Sequence, residues 1–173
     1  MNKPDLVRDF EYNGKPIRVN WFDINSKEDI PNLNWKQVYA IGEIGDNGQV
    51  AIVHYPDDHD NLPGGTTEPG ESIEQTLKRE IYEETGMKVL SWETLGYQEW
   101  IKLGPDPVSS FALRVYAKLA KGEKFTSDSG GEVIGHSFVP LDKLNDYINY
   151  GIVGNRMIEL AKNIRSKNNT EYL

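Results

Sequence analysis

Between Ser72 and Gly86 the chain carries its strongest instruction for local structure. Ser72 with Gln75 three residues later forms a capping-box pair, in which each side chain satisfies an amide of the first helical turn. Gly86 supplies the left-handed residue that commonly closes a helix. The spacing predicts a helix over 72–85, with Ile73, Leu77 and Ile81 at about +20°, +60° and +100° from Glu80 around the axis. That apolar stripe must pack on another element. Glu83 and Glu84 lie at about −60° and +40° from Glu80, so three carboxylates share one narrow face along the border of the stripe.

Those acids stand in the closing turns, where exposed carbonyls make a helix end partly negative. Like charges at these spacings cost ~0.2–0.5 kcal/mol per pair, and the dipole adds roughly 0.3–1 kcal/mol per charge. A second helix, expected around 155–166 with Met157, Leu160, Ala161 and Ile164 on one face, behaves oppositely: Lys162, Arg165 and Lys167 suit its C-terminus. Local stability does not select REIYEETG.

The remaining elements place this helix in a mixed α/β domain. LVRDFEY and KPIRVNWFDI flank the hairpin turn Asn13-Gly14, and KQVYAIGEI and QVAIVHY flank Asp46-Asn47-Gly48. Further strands are expected at about 87–100, 109–119 and 132–139, and a short helix around 141–149. A single domain over 1–173 is expected, with an N-terminal hairpin extension over 1–33 and a core over about 34–166.

Residues 65–87 hold six acids and two bases, a net −4 of the chain's −8. A protein of this sign has no general attraction for nucleic acid or an anionic membrane. Any polyanionic substrate of this segment needs a bridging cation, and hard divalent ions take carboxylate oxygens. The competing reading is a solvated helix face, with Glu74–Lys78 and Arg79–Glu83 as i,i+4 pairs. One arginine does not neutralise three acids. There is no cysteine, which excludes disulfides and thiolate chemistry. The N-terminal MNKPDLVRDFEYNG lacks the apolar run of a signal peptide, and no stretch has the length of an apolar membrane span. A cytoplasmic, soluble protein is the expectation, with a homodimer left open.

GTTEPGES, residues 65–72, fits the phosphate-loop pattern GxxxxGK[ST] except that Glu71 replaces the lysine. That inverts the charge offered to phosphate and excludes a P-loop ATPase. From Gly65 through Glu71 and Arg79-Glu80-Ile81-Tyr82-Glu83-Glu84-Thr85-Gly86 to Met87, the segment instead resembles the box of the Nudix hydrolase family, with every fixed position filled. The resemblance implies an α/β/α sandwich with a mixed β-sheet and a catalytic loop–helix–loop. It implies Mg²⁺- or Mn²⁺-dependent hydrolysis of a pyrophosphate bond in a small-molecule nucleotide, a nucleoside diphosphate linked to another moiety. Position by position, Glu80, Glu83 and Glu84 match the metal ligands, Glu80 also a base in some members. Arg79 matches the arginine that orients the carboxylates, and Glu71 an acid contacting the helix. Gly64 matches a residue whose carbonyl reaches a metal. Glu132, at the start of EVIGHSFVPLDKL, is the candidate acid outside the box. Non-catalytic nucleotide sensing and diphosphate isomerisation are the alternatives on the same fold.

Other features are less specific. His54, Asp57, Asp58, His59 and Asp60 match neither a zinc nor an EF-hand spacing and read as an acidic loop. His136 reads as strand packing. Trp21, Trp35, Tyr39, Tyr97 and Trp100 have the chemistry to stack on a base, though strand aromatics are usually core. Arg114 faces either substrate phosphate or solvent. Pro105 and Pro107 lie slightly beyond the spacing of ADP-ribose-specific relatives. Nucleoside triphosphates or nucleotide sugars remain the substrate candidates.

Overall fold

The computed structural model describes residues 3–128 and 132–170. The chain opens with β1 (Leu6–Tyr12) and β2 (Lys15–Asp23), joined by Asn13 and Gly14 at φ 50° and 72°, the left-handed pair that a tight hairpin requires. Then come β3 (Trp35–Ile44), β4 (Gln49–His54), the short β5 (Asp60–Asn61) and β6 (Gly64–Thr66), and helix α1 (Ile73–Thr85). After it follow β7 (Lys88–Lys102), β8 (Val108–Ala120), β9 (Gly135–Pro140), α2 (Leu144–Ile148) and α3 (Gly151–Thr170).

All strands join one mixed sheet in the order β1-β2-β7-β8-β3-β4-β5, with β6 paired to β3 and β9 to β4. The β3–β8 pairing is parallel, while the others are antiparallel. Helix α1 lays Leu77 and Ile81 on one face, against Val38, Ala40, Leu113 and Val115. On the other face α2 and α3 bury Leu144, Val153, Met157 and Ala161 against Ile41, Ile52 and Tyr116. Each large side chain so buried contributes roughly 1.5–3 kcal/mol. The result is the expected α/β/α sandwich.

Differences from the sequence reading have local causes. The strand expected from 132 begins at Gly135, while the Ile134 amide already donates to the His54 carbonyl at 2.9 Å. The region expected as a helix over 141–149 starts as a 3-10 turn over Leu141–Lys143 and becomes α-helical from Leu144. α3 runs from Gly151 to Thr170, beyond its periodic stretch, and its Arg165 does more than complement a dipole: Nε donates to the fully buried Glu43 at 3.0 Å. Lys118 and the Tyr116 hydroxyl hold the same carboxylate. The strands β5 and β6 had no periodicity to reveal them, because two- and three-residue strands are defined only by their partners. No helix among the described residues is long and apolar enough to cross a membrane.

Candidate active site

The capping box forms as expected: Ser72 Oγ accepts from the Gln75 amide at 3.2 Å, and Gln75 Oε1 from the Ser72 amide at 2.8 Å. Gly86 closes the helix at φ 72°. Between them α1 delivers Arg79, Glu80, Glu83 and Glu84 to a cleft of about 540 Å³. Gly64, Gly65 and Thr66 of β6 form its opposite wall, and Tyr39, Tyr55 and Glu132 line it further out.

The approach of β6 to α1 requires glycine. At Gly64, φ is 138°, and a Cβ would fall 2.2 Å from the Val38 carbonyl oxygen. At Gly65 a Cβ would lie 2.6 Å from the Glu80 carboxylate. The two residues therefore let acids and backbone meet, and the Gly64 amide donates to Glu84 Oε2 at 2.8 Å.

Arg79 is the hub. Its Nε donates to Glu71 Oε1 at 2.7 Å, and one terminal nitrogen donates to Glu71 Oε2 at 2.9 Å and the Thr66 carbonyl at 3.0 Å. The other reaches Glu80 at 2.9 Å and Glu83 at 3.2 Å. Glu71 is fixed in turn by the Thr76 hydroxyl at 2.9 Å and the Glu68 amide at 3.0 Å. The Arg79 guanidinium, with these donors, pulls the Glu71 carboxyl down to about 2. The same carboxylates hold Arg79 firmly protonated.

Glu84 stands differently. It is 5% exposed. Burial, with Glu80, Asp128 and Glu83 of the same cleft close by, pushes its carboxyl up to about 8, although the Gly64 amide opposes the rise. Burial also raises Glu80, against the pull of Arg79. Three acids thus bond one guanidinium, while Glu84, the most enclosed acid of the cleft, has no such partner and is forced toward its neutral form. Among the described residues no three histidine or acidic side chains already converge as a cation cage, since Arg79 lies between Glu80 and Glu83. The donors are hard oxygens, and the charge imbalance has the sign a divalent cation corrects. The set fits such an ion.

The expected residues are therefore brought together: Glu71, Arg79, Glu80, Glu83, Glu84 and Gly64 share one site. Glu132 lines the same cleft but sits in the approach to β9 rather than opening it. The cleft also takes in Gln37, which has no marker in sequence, and Tyr39, one of the aromatic candidates. The Gln37 amide donates to the Tyr39 hydroxyl at 3.2 Å, and burial raises that hydroxyl to about 12, so its proton stays in place at neutral pH. Other candidates lie elsewhere. His54 bonds Asp60 at 2.6 Å and Ser137 at 3.0 Å, and His59 pairs with Asp57. His136 packs edge-on against Phe125 and Phe138. Trp21 is fully buried, and Trp35 and Tyr97 pack together 5.6 Å apart. Arg114 faces neither solvent nor the acids; it is buried against the Tyr39 ring at 4.5 Å.

An acid-lined loop–helix–loop on an α/β/α sandwich defines the class of protein. Residues 35–158 match the model of the NUDIX domain, and the chain belongs to that family. The NAD-capped RNA hydrolase NudC of Mycobacterium tuberculosis is 31% identical over 90 residues, 50% of this chain. The matched segment spans only 29% of NudC. Among solved structures, a variant of the Bacillus subtilis pyrophosphohydrolase BsRppH superposes with a TM-score of 0.65 at 24% identity, over 90% of this chain and 96% of that one. A NUDIX hydrolase from Nitrosomonas europaea gives 0.58 at 20% identity, over 76% and 91%. Both share the fold.

Proposed function

We propose that the protein is a divalent-metal-dependent pyrophosphohydrolase that cleaves a nucleoside diphosphate linked to another moiety. The observation that carries this reading is the enclosed Glu84, pushed up to about 8 beside Glu80 and Glu83 with a single guanidinium among them. Such crowding destabilises the metal-free site and is relieved by a cation.

Glu80, Glu83 and Glu84 would hold Mg²⁺ or Mn²⁺, with the Gly64 carbonyl and Glu132 as further oxygen donors. When bound, the ion neutralises phosphate charge and acidifies a water. Glu80 is the candidate to take the proton of the attacking water, since burial has already raised its proton affinity. Arg79 orients Glu80 and Glu83 and is itself anchored by Glu71. The Tyr39 hydroxyl accepts from Gln37 and keeps its own proton for a substrate oxygen.

A panel of nucleoside triphosphates and nucleotide sugars, incubated with Mg²⁺ and scored for phosphate or pyrophosphate release, tests the reading. Release that stops with EDTA and returns with Mg²⁺ or Mn²⁺ is expected. Binding without turnover would identify a sensing module, and rearrangement without release an isomerase; either result overturns the proposal.

A further inference from the structure

The segment HYPDDHD, residues 54–60, matches no metal-binding spacing, yet its polar side chains are all close to the acidic cleft in sequence or in space. It reverses the chain between β4 and β5. His54, the last residue of β4, clasps the strands on either side: Nδ1 meets Asp60 of β5 at 2.6 Å, and Nε2 meets the Ser137 hydroxyl of β9 at 3.0 Å. The reversal itself is tight. The Asp58 amide donates to the Tyr55 carbonyl at 3.3 Å, and the Tyr55 amide to the His59 carbonyl at 3.1 Å. Pro56 has the fixed φ favoured at the second position of such a turn, and Asp58 takes a left-handed φ of 59°, which aspartate tolerates better than most residues.

This turn lays the His59 ring flat on Tyr55, with centres 4.3 Å apart and planes 5° from parallel. Asp57 in turn holds His59 through Nδ1. The ring so mounted belongs to the cleft wall. Burial raises the Tyr55 hydroxyl well above its ordinary value, and Glu84, Tyr39, Glu132 and Tyr150 add to the rise. Those neighbours place the hydroxyl end of the ring among the acids of the cleft. A hydroxyl raised in this way keeps its proton at neutral pH and is a hydrogen-bond donor, not an acid. Gln37 engages the other cleft tyrosine, Tyr39, whereas no described residue hydrogen-bonds the Tyr55 hydroxyl.

A polyphosphate entering this cleft finds few protein donors. Among the described residues that line it, Arg79 is the single basic one, and its guanidinium is already shared between Glu71, Glu80, Glu83 and the Thr66 carbonyl. A divalent ion meets only the oxygens that face the carboxylates. Any other phosphate oxygen must take its hydrogen bond from the wall or lose it on entry. A neutral hydroxyl suits that position, because it donates without adding to the crowded charge, and a bond to an ionised oxygen is among the stronger ones a hydroxyl makes.

We propose that Tyr55 is a phosphate-binding residue, its hydroxyl donating to a non-bridging oxygen of the substrate diphosphate, and that His59 is the positioning residue that aims it. HYPDDHD then has a use that is neither metal binding nor mere solvation: it mounts one hydroxyl on the cleft wall. The substrate class rests on the proposed hydrolase reading. The contact itself needs no covalent step and no turnover.

The test is a calorimetric titration of the full chain, in Mg²⁺, with methylenediphosphonate, a pyrophosphate analogue whose P–C–P bridge is not hydrolysed. Tyr55→Phe keeps the ring and its stack and should melt near wild type, yet weaken binding roughly tenfold or more. His59→Ala should weaken binding in the same direction with the hydroxyl intact. His59→Phe, which returns a flat ring beneath Tyr55, should recover most of that loss. Affinity that moves while the melting temperature does not separates aiming from loop stability. Wild-type affinity in Tyr55→Phe, or no binding of the analogue by the wild-type chain, would overturn the assignment. The two proposals fail separately. Tyr55-dependent binding with no hydrolysis across the substrate panel sinks the hydrolase reading alone; hydrolysis with a wild-type kcat/KM in Tyr55→Phe sinks the tyrosine assignment alone.

Discussion

The Gly64 amide donates to Glu84 Oε2 across 2.8 Å, and this single contact is the main compensation the buried carboxyl receives from the protein. One amide does not offset burial and three neighbouring acids, Glu80, Asp128 and Glu83, so the Glu84 proton affinity rises. The glycine strand and the acidic helix are therefore coupled: the close approach that places Glu84 in the cleft also makes its charge costly.

That coupling sets a pH dependence of stability for the metal-free protein. Glu84 binds its proton up to about pH 8 when folded, against an ordinary value of 4.5. Between those limits the native state holds more protons than the unfolded state, so stability falls as pH rises from about 4.5 to about 8. The total is on the order of a few kcal/mol. Denaturant melts in EDTA should show this decline, and Glu84→Gln should flatten it while abolishing hydrolysis. Mg²⁺ should restore stability at high pH. A metal-free protein that gains stability across this window would contradict the assignment.

The two glycines of β6 should separate folding from function. Gly64→Ala places a Cβ 2.2 Å from the Val38 carbonyl oxygen at φ 138°, against rigid backbone, and should cost several kcal/mol or prevent folding. Gly65→Ala instead meets only the end of the Glu80 side chain, at 2.6 Å. It should melt near wild type yet lose activity, because Glu80 must move. Thermal melts and kcat for both variants check this.

Much of the site was legible because its signals are local. Capping chemistry, the Gly86 stop and acids opposed to a helix dipole are all written within a few residues. The enclosure of Gln98 and Arg114 was not. They lie on β7 and β8, and in β8 residues 112–117 are all buried, since helices cover both sheet faces. Alternation then distinguishes two interiors rather than inside from outside, so Arg114 in FALRVYAKL gave no indication that it was enclosed. The start of β9 was misplaced for a related reason: EVIGHSFV has strand composition throughout, but ladder pairing with β4 begins only at Gly135.

Arg79→Lys should prove far from conservative. Lysine keeps the charge but not the fork that joins Glu71, Glu80, Glu83 and the Thr66 carbonyl. Losing an orienting partner of this kind typically costs roughly 10- to 100-fold in activity or metal affinity. Glu71→Gln should produce a smaller loss of the same kind, because Arg79 then keeps its cleft partners with a weaker anchor. Unchanged kcat and Mg²⁺ midpoint in Arg79→Lys would show that the guanidinium does not position the acids.

Glu74 and Glu83 provide the sharpest contrast, since both are α1 glutamates with a basic partner four residues away. Glu74 pairs with Lys78 at 2.6 Å, with both side chains about half exposed, at 52% and 53%. It lies about 120° around the helix from Glu80 and does not line the acidic cleft. Glu83 lines the cleft and meets Arg79 at 3.2 Å. A solvated-pair reading of both residues gives small, equal effects of substitution, within ~1 kcal/mol of stability. The metal-site reading gives asymmetry. Glu74→Gln should keep near-normal kinetics, whereas Glu83→Gln should raise the Mg²⁺ midpoint and lower kcat by roughly 10²-fold or more, because a lost ligand weakens the charge that stabilises the transition state. Steady-state kinetics over a Mg²⁺ series for the two variants measures this, and equal small effects would place the catalytic cation away from Glu83.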